Sequence, residues 1–336
     1  MKLNIKYTIG SASIAILALA ACNNENMPEN ESGQSTEIRL TSGIEVMSRA
    51  YTPKQDEQIA KGEKVYIWAD EVVGSEEVTY FHAWELTADG NGSFESVADA
   101  DKKYFPESGN GIDLYAIHGN FSTAIVKDVT DFPASAITHN IETNQTVDGN
   151  FKKSDLLYAS HQDIERTKSA IPVKFYHMLS KIQIAIRPGA GLTLSDLNGA
   201  TVSVLNTKTE VWFTPSKVAD LSDATVRGNM VIASGEENEI SVPAVSVDNT
   251  EENFTSADNY GEAIIAPQTL AASAQFIKVT LAGRNPLYYV LNAGKTFESG
   301  KRYIYHITVN LTELDVESSI EGWGTGTNNT GEATMD

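Results

Sequence analysis

Residues 37–47 alternate with a period of two. Ile38, Leu40, Ile44 and Val46 share one parity, interrupted only by Ser42, and the other parity holds mainly Glu37, Arg39, Thr41, Gly43 and Glu45. Such a row is a strand with one buried face. Related patterns recur at residues 64–69, 80–86, 113–118, 154–159 and 303–311, and turn signals such as Asp89-Gly90-Asn91-Gly92 separate them. Shorter strands are expected at 200–205, 211–213, 230–232, 240–242, 263–265, 276–281 and 288–291. No amphipathic helix longer than two turns stands out. Many short strands predict an all-β fold of sandwiches, and 336 residues are enough for two of them. The charged stretch 161–168 predicts a boundary, giving sandwiches over 37–168 and 169–311. Beyond it, residues 173–179 and 181–186 are expected to face one core across a bulge. In the tail, 312–336, Leu314, Val316, Ser318 and Ile320 alternate with acidic residues and Ser319. This row has no obvious partner strand beside it in sequence.

The formal net charge is -20, and leaving out residues 1–21, which carry Lys2 and Lys6 and no acid, makes it -22. An acidic surface without a basic cluster repels nucleic acid and anionic membrane faces, so no nucleic-acid partner is expected. The chain has one cysteine, Cys22, which excludes an internal disulfide and a Cys-rich metal site.

That cysteine ends an export signal. Lys2 and Lys6 precede an uncharged run from Tyr7 to Ala21, too short to span a bilayer comfortably, so residues 1–21 read as a signal peptide. Leu19-Ala20-Ala21-Cys22 resembles the lipobox of bacterial lipoproteins. The resemblance implies cleavage before Cys22, acylation of its thiol and amino group, and an outer-membrane anchor. Residues 22–36 form an Asn-, Glu- and Ser-rich tether with almost nothing to bury. Its acids, Glu25, Glu29 and Glu31, resemble the surface-export signal of Bacteroidetes lipoproteins.

No catalytic constellation is legible. The histidines (His82, His118, His139, His161, His177 and His306) have no metal-motif spacing, and those inside strands read as structural. There is no nucleophile elbow and no phosphate-binding loop. The acidic pairs Asp99/Asp101 and Glu236/Glu237 fall in polar loops, without the cleft that glycoside hydrolysis needs. The 89–91 turn lacks EF-hand spacing. Tyr80, Phe81 and Trp84 offer a sugar-stacking platform or, as is commoner, core packing. No cofactor and no enzymatic activity are expected.

Taken in order, several segments resemble the fimbrillin family of Bacteroidetes, lipoprotein pilins of type V pili. They are Cys22 in its lipobox, Arg49-Ala50, residues 56–62, 104–106, 113–116, 154–159, 173–177, 266–268 and 300–310, then Ser319-Ile320 and Trp323. The resemblance implies two transthyretin-like β-sandwiches. It also implies trimming by an Arg-specific protease in the loop behind the first strand, at Arg49 before Ala50. Arg39 is set aside because it lies within that strand. Loss of Ile38, Leu40, Ile44 and Val46 would open a groove for a C-terminal strand of the next subunit, with Leu314, Val316 and Ile320 as the replacement row. The expected role is therefore a stalk or tip pilin at the cell surface, with other pilin subunits, a protease, the outer membrane and a host glycan or protein as partners. The alternative is a monomeric surface lipoprotein with a glycan-binding β-sandwich.

Overall fold

The computed structural model describes residues 35–44, 58–247 and 260–323, and all statements below concern these. Cys22, Val46, Arg49 and Ala50 lie outside them. The architecture is all-β, with one α-helix, α1 (Asp148–Ser154), among the described residues.

Seven strands form the largest sheet: β1 (Leu40–Ile44), β2 (Lys64–Val73), β3 (Glu76–Ala88), β4 (Phe94–Ser96), β5 (Ile112–His118), β7 (Leu157–Ile164) and β8 (Ile171–His177). Their order is β1-β8-β7-β5-β2-β3-β4. The sheet curls until its two edges touch. Thr41 bridges Ser93, and the Ser42 amide donates to the Gly92 carbonyl at 2.8 Å.

The period of two sorts the side chains of this sheet into two cores. Val65, Ile67, Leu114, Ala116, Leu157, Ala159, Val173 and Phe175 point into the curl with Ile38, Leu40 and Ile44. Trp68, Tyr115, Ile117 and Tyr158 point the other way, into a core shared with the rest of the chain. Every residue of β5 is buried, as expected of a strand covered on both faces.

The second half supplies the cover. One sheet runs β14-β9-β19-β20, from β9 (Ser180–Pro188), β14 (Gly261–Ile265), β19 (Lys301–Val309) and β20 (Leu314–Gly322). Another runs β13-β10-β16-β17, from β10 (Thr201–Thr207), β13 (Asn238–Val242), β16 (Gln275–Thr280) and β17 (Leu287–Val290). A third, β12-β11-β6, joins β11 (Glu210–Pro215) and β12 (Gly228–Ile232) to β6 (Ile137–Asn140) from the first half. The pair β15 (Thr269–Leu270) and β18 (Lys295–Thr296) completes the set.

The segmentation differs from expectation in three places. The charged stretch after His161 does not end the first sheet, because β8 follows it and pairs with both β1 and β7. β8 and β9 do not share one core across a bulge. The chain turns at Met178 and Leu179, whose backbone groups bond to Leu156 and Gly300, and β9 enters another sheet. The tail does have a neighbouring partner: β20 folds back on β19 as a long antiparallel hairpin, Leu314 opposite Val309 through Gly322 opposite Lys301. Asn310 closes its turn, donating from its amide to the Glu313 carbonyl at 3.0 Å and from Nδ2 to Asp315 at 2.8 Å.

His139 pins β6 in place. Its Nε2 donates to the Ser154 carbonyl at the end of α1 (2.9 Å), and its Nδ1 accepts from the Asn120 amide (3.0 Å). Both bonds together require the neutral ring. Burial, opposed by the bond to Ser154, lowers its pKa to about 4, with His118 and Asp155 nearby. The unfolded ring protonates near the ordinary imidazole value of 6.5, so this contribution to stability is full above that pH and is lost as pH falls towards 4. The loss amounts to roughly 3 kcal/mol by pH 4. Urea midpoints of wild type and His139→Asn should therefore converge as pH falls across this window; parallel curves would refute the assignment.

Candidate functional site

β1 is an edge strand held by less than a full ladder on one side. Along β8 it pairs in parallel, Leu40 opposite Ile171, Ser42 opposite Val173 and Ile44 opposite Phe175. Towards β4 it makes one bridge, so a groove of ≈ 600 Å³ remains between the two sheet edges. Leu40, Trp84, Leu86 and Phe94 line this groove, with Arg39 and Lys102 among its charged residues. Two buried polar atoms here lack a hydrogen-bond partner, Trp84 Nε1 and Ser42 Oγ.

Ile38, Leu40 and Ile44 are all at most 5% exposed. Withdrawing them would return apolar surface to water at about 1.5–3 kcal/mol per side chain and leave β8 with an unpaired edge. Just upstream, the Ile38 amide donates to the Lys103 carbonyl (2.8 Å) and the Phe105 amide to the Thr36 carbonyl (2.9 Å).

β20 is the opposite kind of edge. Leu314, Val316 and Ile320 are only half-buried, packed against the shared core, and no described strand covers the outer edge. Its end is fixed more firmly. Trp323 is 4% exposed, stacks on His177 with centroids 3.7 Å apart, and donates its amide to the Gly300 carbonyl at 2.7 Å. Lys181 Nζ lies 5.4 Å from the Trp323 ring and 5.7 Å from Phe151, and pairs with Glu262 at 3.1 Å. His177 Nδ1 in turn meets Asp155 at 3.1 Å. Buried charges of this kind are tolerable only while paired, so the indole is the lid of a charged interior. Arg302 adds a partly buried ion pair to Glu321 of β20.

The other candidates resolve as packing or surface. Trp84 and Phe81 are buried, edge to face at 5.8 Å, and Tyr80 donates to the Tyr104 carbonyl at 2.9 Å, so these three form no open sugar platform. Asp99 and Asp101 pair with Lys102 and Lys127. Among the described residues, no three His, Cys, Asp or Glu side chains gather as metal ligands. What sequence reasoning missed is Trp212, an exposed indole in the middle of a strand. Its signal was the alternation of Val211 and Phe213 around it, which leaves position 212 facing out. Trp323→Ala should lower unfolding free energy by about 3–5 kcal/mol in denaturant titrations, against little change for an exposed site such as Glu313→Ala.

The chain resembles known proteins over nearly its whole length. The fimbrillin-like family model matches residues 48–323. A relative from Bacteroides uniformis, named "Putative fimbrium subunit Fim1C", is 28% identical across 98% of this chain and 99% of its own. A structure of "a putative cell adhesion protein" from Bacteroides ovatus aligns over 86% of this chain and 98% of its own, with TM-score 0.59 and 16% identity. One of the same description from Bacteroides uniformis covers 86% and 99%, with TM-score 0.57 and 22% identity. These two structures bear on the fold alone. The family match spans β2 through β20 and ends at the indole that closes the hairpin: this chain belongs to the fimbrillin-like family.

Proposed function

We propose that the protein is a structural subunit of a surface fimbria that polymerises by strand exchange. In this reading it is exported as a lipoprotein on Cys22 and trimmed by an Arg-specific protease between Arg49 and Ala50. Its two groups of sheets act as two transthyretin-like sandwiches. β1 then leaves, and β20 of a second copy takes its place.

The observation that carries this is a matched row. β1 and its approach read Ile38, Leu40, Ser42, Ile44, and β20 reads Leu314, Val316, Ser318, Ile320: apolar, apolar, serine, apolar at the same spacing. A strand laid along β8 in the register of β1 would put Val316 beside Ile171, Ser318 beside Val173 and Ile320 beside Phe175, following the partners that β1 has now. Ser319 would then stand where Gly43 stands, and an added Cβ there meets nothing within 4 Å. Backbone pairing supplies affinity and the alternate side chains supply register. A contact between different surfaces of successive copies leaves a free donor and a free acceptor at the two ends, and it propagates as an open filament wherever its rotation does not close a ring. Two further observations agree. The family match begins at residue 48, next to Arg49 and beyond β1. The chain also carries an acidic outward row on β20 (Asp315, Glu317) and Lys174 on the outer face of β8.

Two measurements test the parts separately. N-terminal sequencing of surface-extracted protein should begin at Ala50; a start at acylated Cys22 in polymerised material would overturn the trimming step. Mixing trimmed Lys174→Cys and Ser319→Cys copies should give a disulfide-linked dimer on non-reducing gels, since paired neighbouring strands bring Cα atoms within disulfide range. No cross-link from copies that still polymerise would rule out this register. Val316→Asp should abolish SDS-resistant ladders while leaving the monomer folded, because Val316 is only half-buried in its own hairpin.

A further inference from the structure

The sheet β12-β11-β6 has an outer face that no other described strand covers. Its inner face carries Val211, Phe213 and His139, all fully buried, and Phe213 meets Tyr158 edge to face at 5.8 Å. On the outer face Trp212 of the central strand is 40% exposed. It stands between Thr138 on β6 and Val231 on β12, its direct cross-strand partners. One rung along on either side are the pair Glu210–Asn140 and the pair Thr214–Asn229.

The indole is not loose. Its Nε1 donates to Glu210 Oε1 at 2.8 Å, two residues back on the same face, which sets the ring's orientation. Asn140 is oriented as well, its Nδ2 donating to Ser122 Oγ at 2.6 Å and leaving its side-chain carbonyl as an acceptor. A fixed aromatic plane is thus bordered by amides, hydroxyls and one carboxylate on the face of the sheet.

We propose that this face is a binding site for a neutral glycan, with Trp212 as the stacking plate for one pyranose ring. The C–H face of a pyranose is the apolar, weakly positive surface that the electron-rich indole face attracts, and its equatorial hydroxyls reach outward in the plane where Asn140, Asn229, Thr138 and Thr214 lie. A protein hot spot would instead need a wider apolar centre, and here the indole has only Val231 beside it as a large exposed apolar neighbour on these strands. Charge narrows the ligand further. Glu210 is the charged group of this face, and the chain as a whole carries -20, so sialylated, sulfated or uronic-acid glycans are disfavoured and neutral or N-acetylated hexoses are selected. The site lies on strands other than β1, β8 and β20, so it does not depend on how copies join.

The test is a glycan array probed with the full chain, followed by titration of the best neutral oligosaccharide against three variants. Wild type should bind neutral glycans, Trp212→Ala should weaken binding about tenfold or more, and Trp212→Phe should recover most of it. Glu210→Gln should retain neutral ligands and admit acidic ones. Circular dichroism and ladder formation should match wild type in all three. Absence of neutral-glycan binding, equal binding by Trp212→Ala, or loss of ladders in that variant would each overturn the proposal, the last by marking the face as a contact between subunits.

Discussion

The whole structure depends on a sheet that is buried on both faces. In the seven-stranded sheet, β5 and the first residues of β7, Leu157–Ala159, have water on neither side, and the alternation of their side chains feeds two different cores. One core is closed by the curl of the sheet and by β1. The other is closed by the second half of the chain, through Trp68, Tyr115 and Tyr158. The first half thus owns the core inside the curl, whereas the second half shares its core with the outer face of that sheet, and the halves are bound by packing rather than by a linker. Polar contacts reinforce this. Lys217 reaches across to Asp70 in an ion pair and lies 5.0 Å from the Tyr115 ring.

In the proposed exchange, two sheet edges carry the function. β1 and β20 are both terminal strands of their sheets, yet their situations are reversed. β1 is deeply buried and held by one parallel ladder and one bridge; β20 is half-buried and held by a continuous antiparallel ladder, with a stacked indole at its far end. Exchange would replace deep burial by deep burial at β1 and give up shallow burial at β20. On those terms the polymer gains where the monomer loses little, except at Trp323, whose stack on His177 shields a buried Lys–Glu pair.

Much of this was legible in the sequence. Strict alternation showed the buried face of residues 38–44, and the opposed parities of Val65/Ile67 and Tyr66/Trp68 point into separate cores. The matched serine in the two rows was readable too. What the sequence did not reveal were long-range partners. The charge of residues 161–168 looked like a boundary, but strands tolerate charge on an exposed face, and β7 runs to Ile164 through it. The loops around residues 119–150 gave no hint that β6 would pair with β11. Aromatic residues follow parity within their own strands: Tyr80, Phe81 and Trp84 lie close together in sequence and mostly inside, the commoner of their two readings, whereas Trp212 between two core residues stands outside.

The crossing of β6 into the second half sets the order in which the chain can fold. Ile137–Asn140 must wait for Glu210–Pro215, and Ser180–Pro188 must wait for Lys301–Val309, its parallel neighbour. Pairings this far apart in sequence are slow to form, since a long loop must close before any contact rewards it. A chain emerging from a ribosome or a membrane channel could thus close the curl once Ile171–His177 is free, but the shared core must wait for Lys301–Val309. Such a protein consolidates in two steps, the curl first and the shared core last.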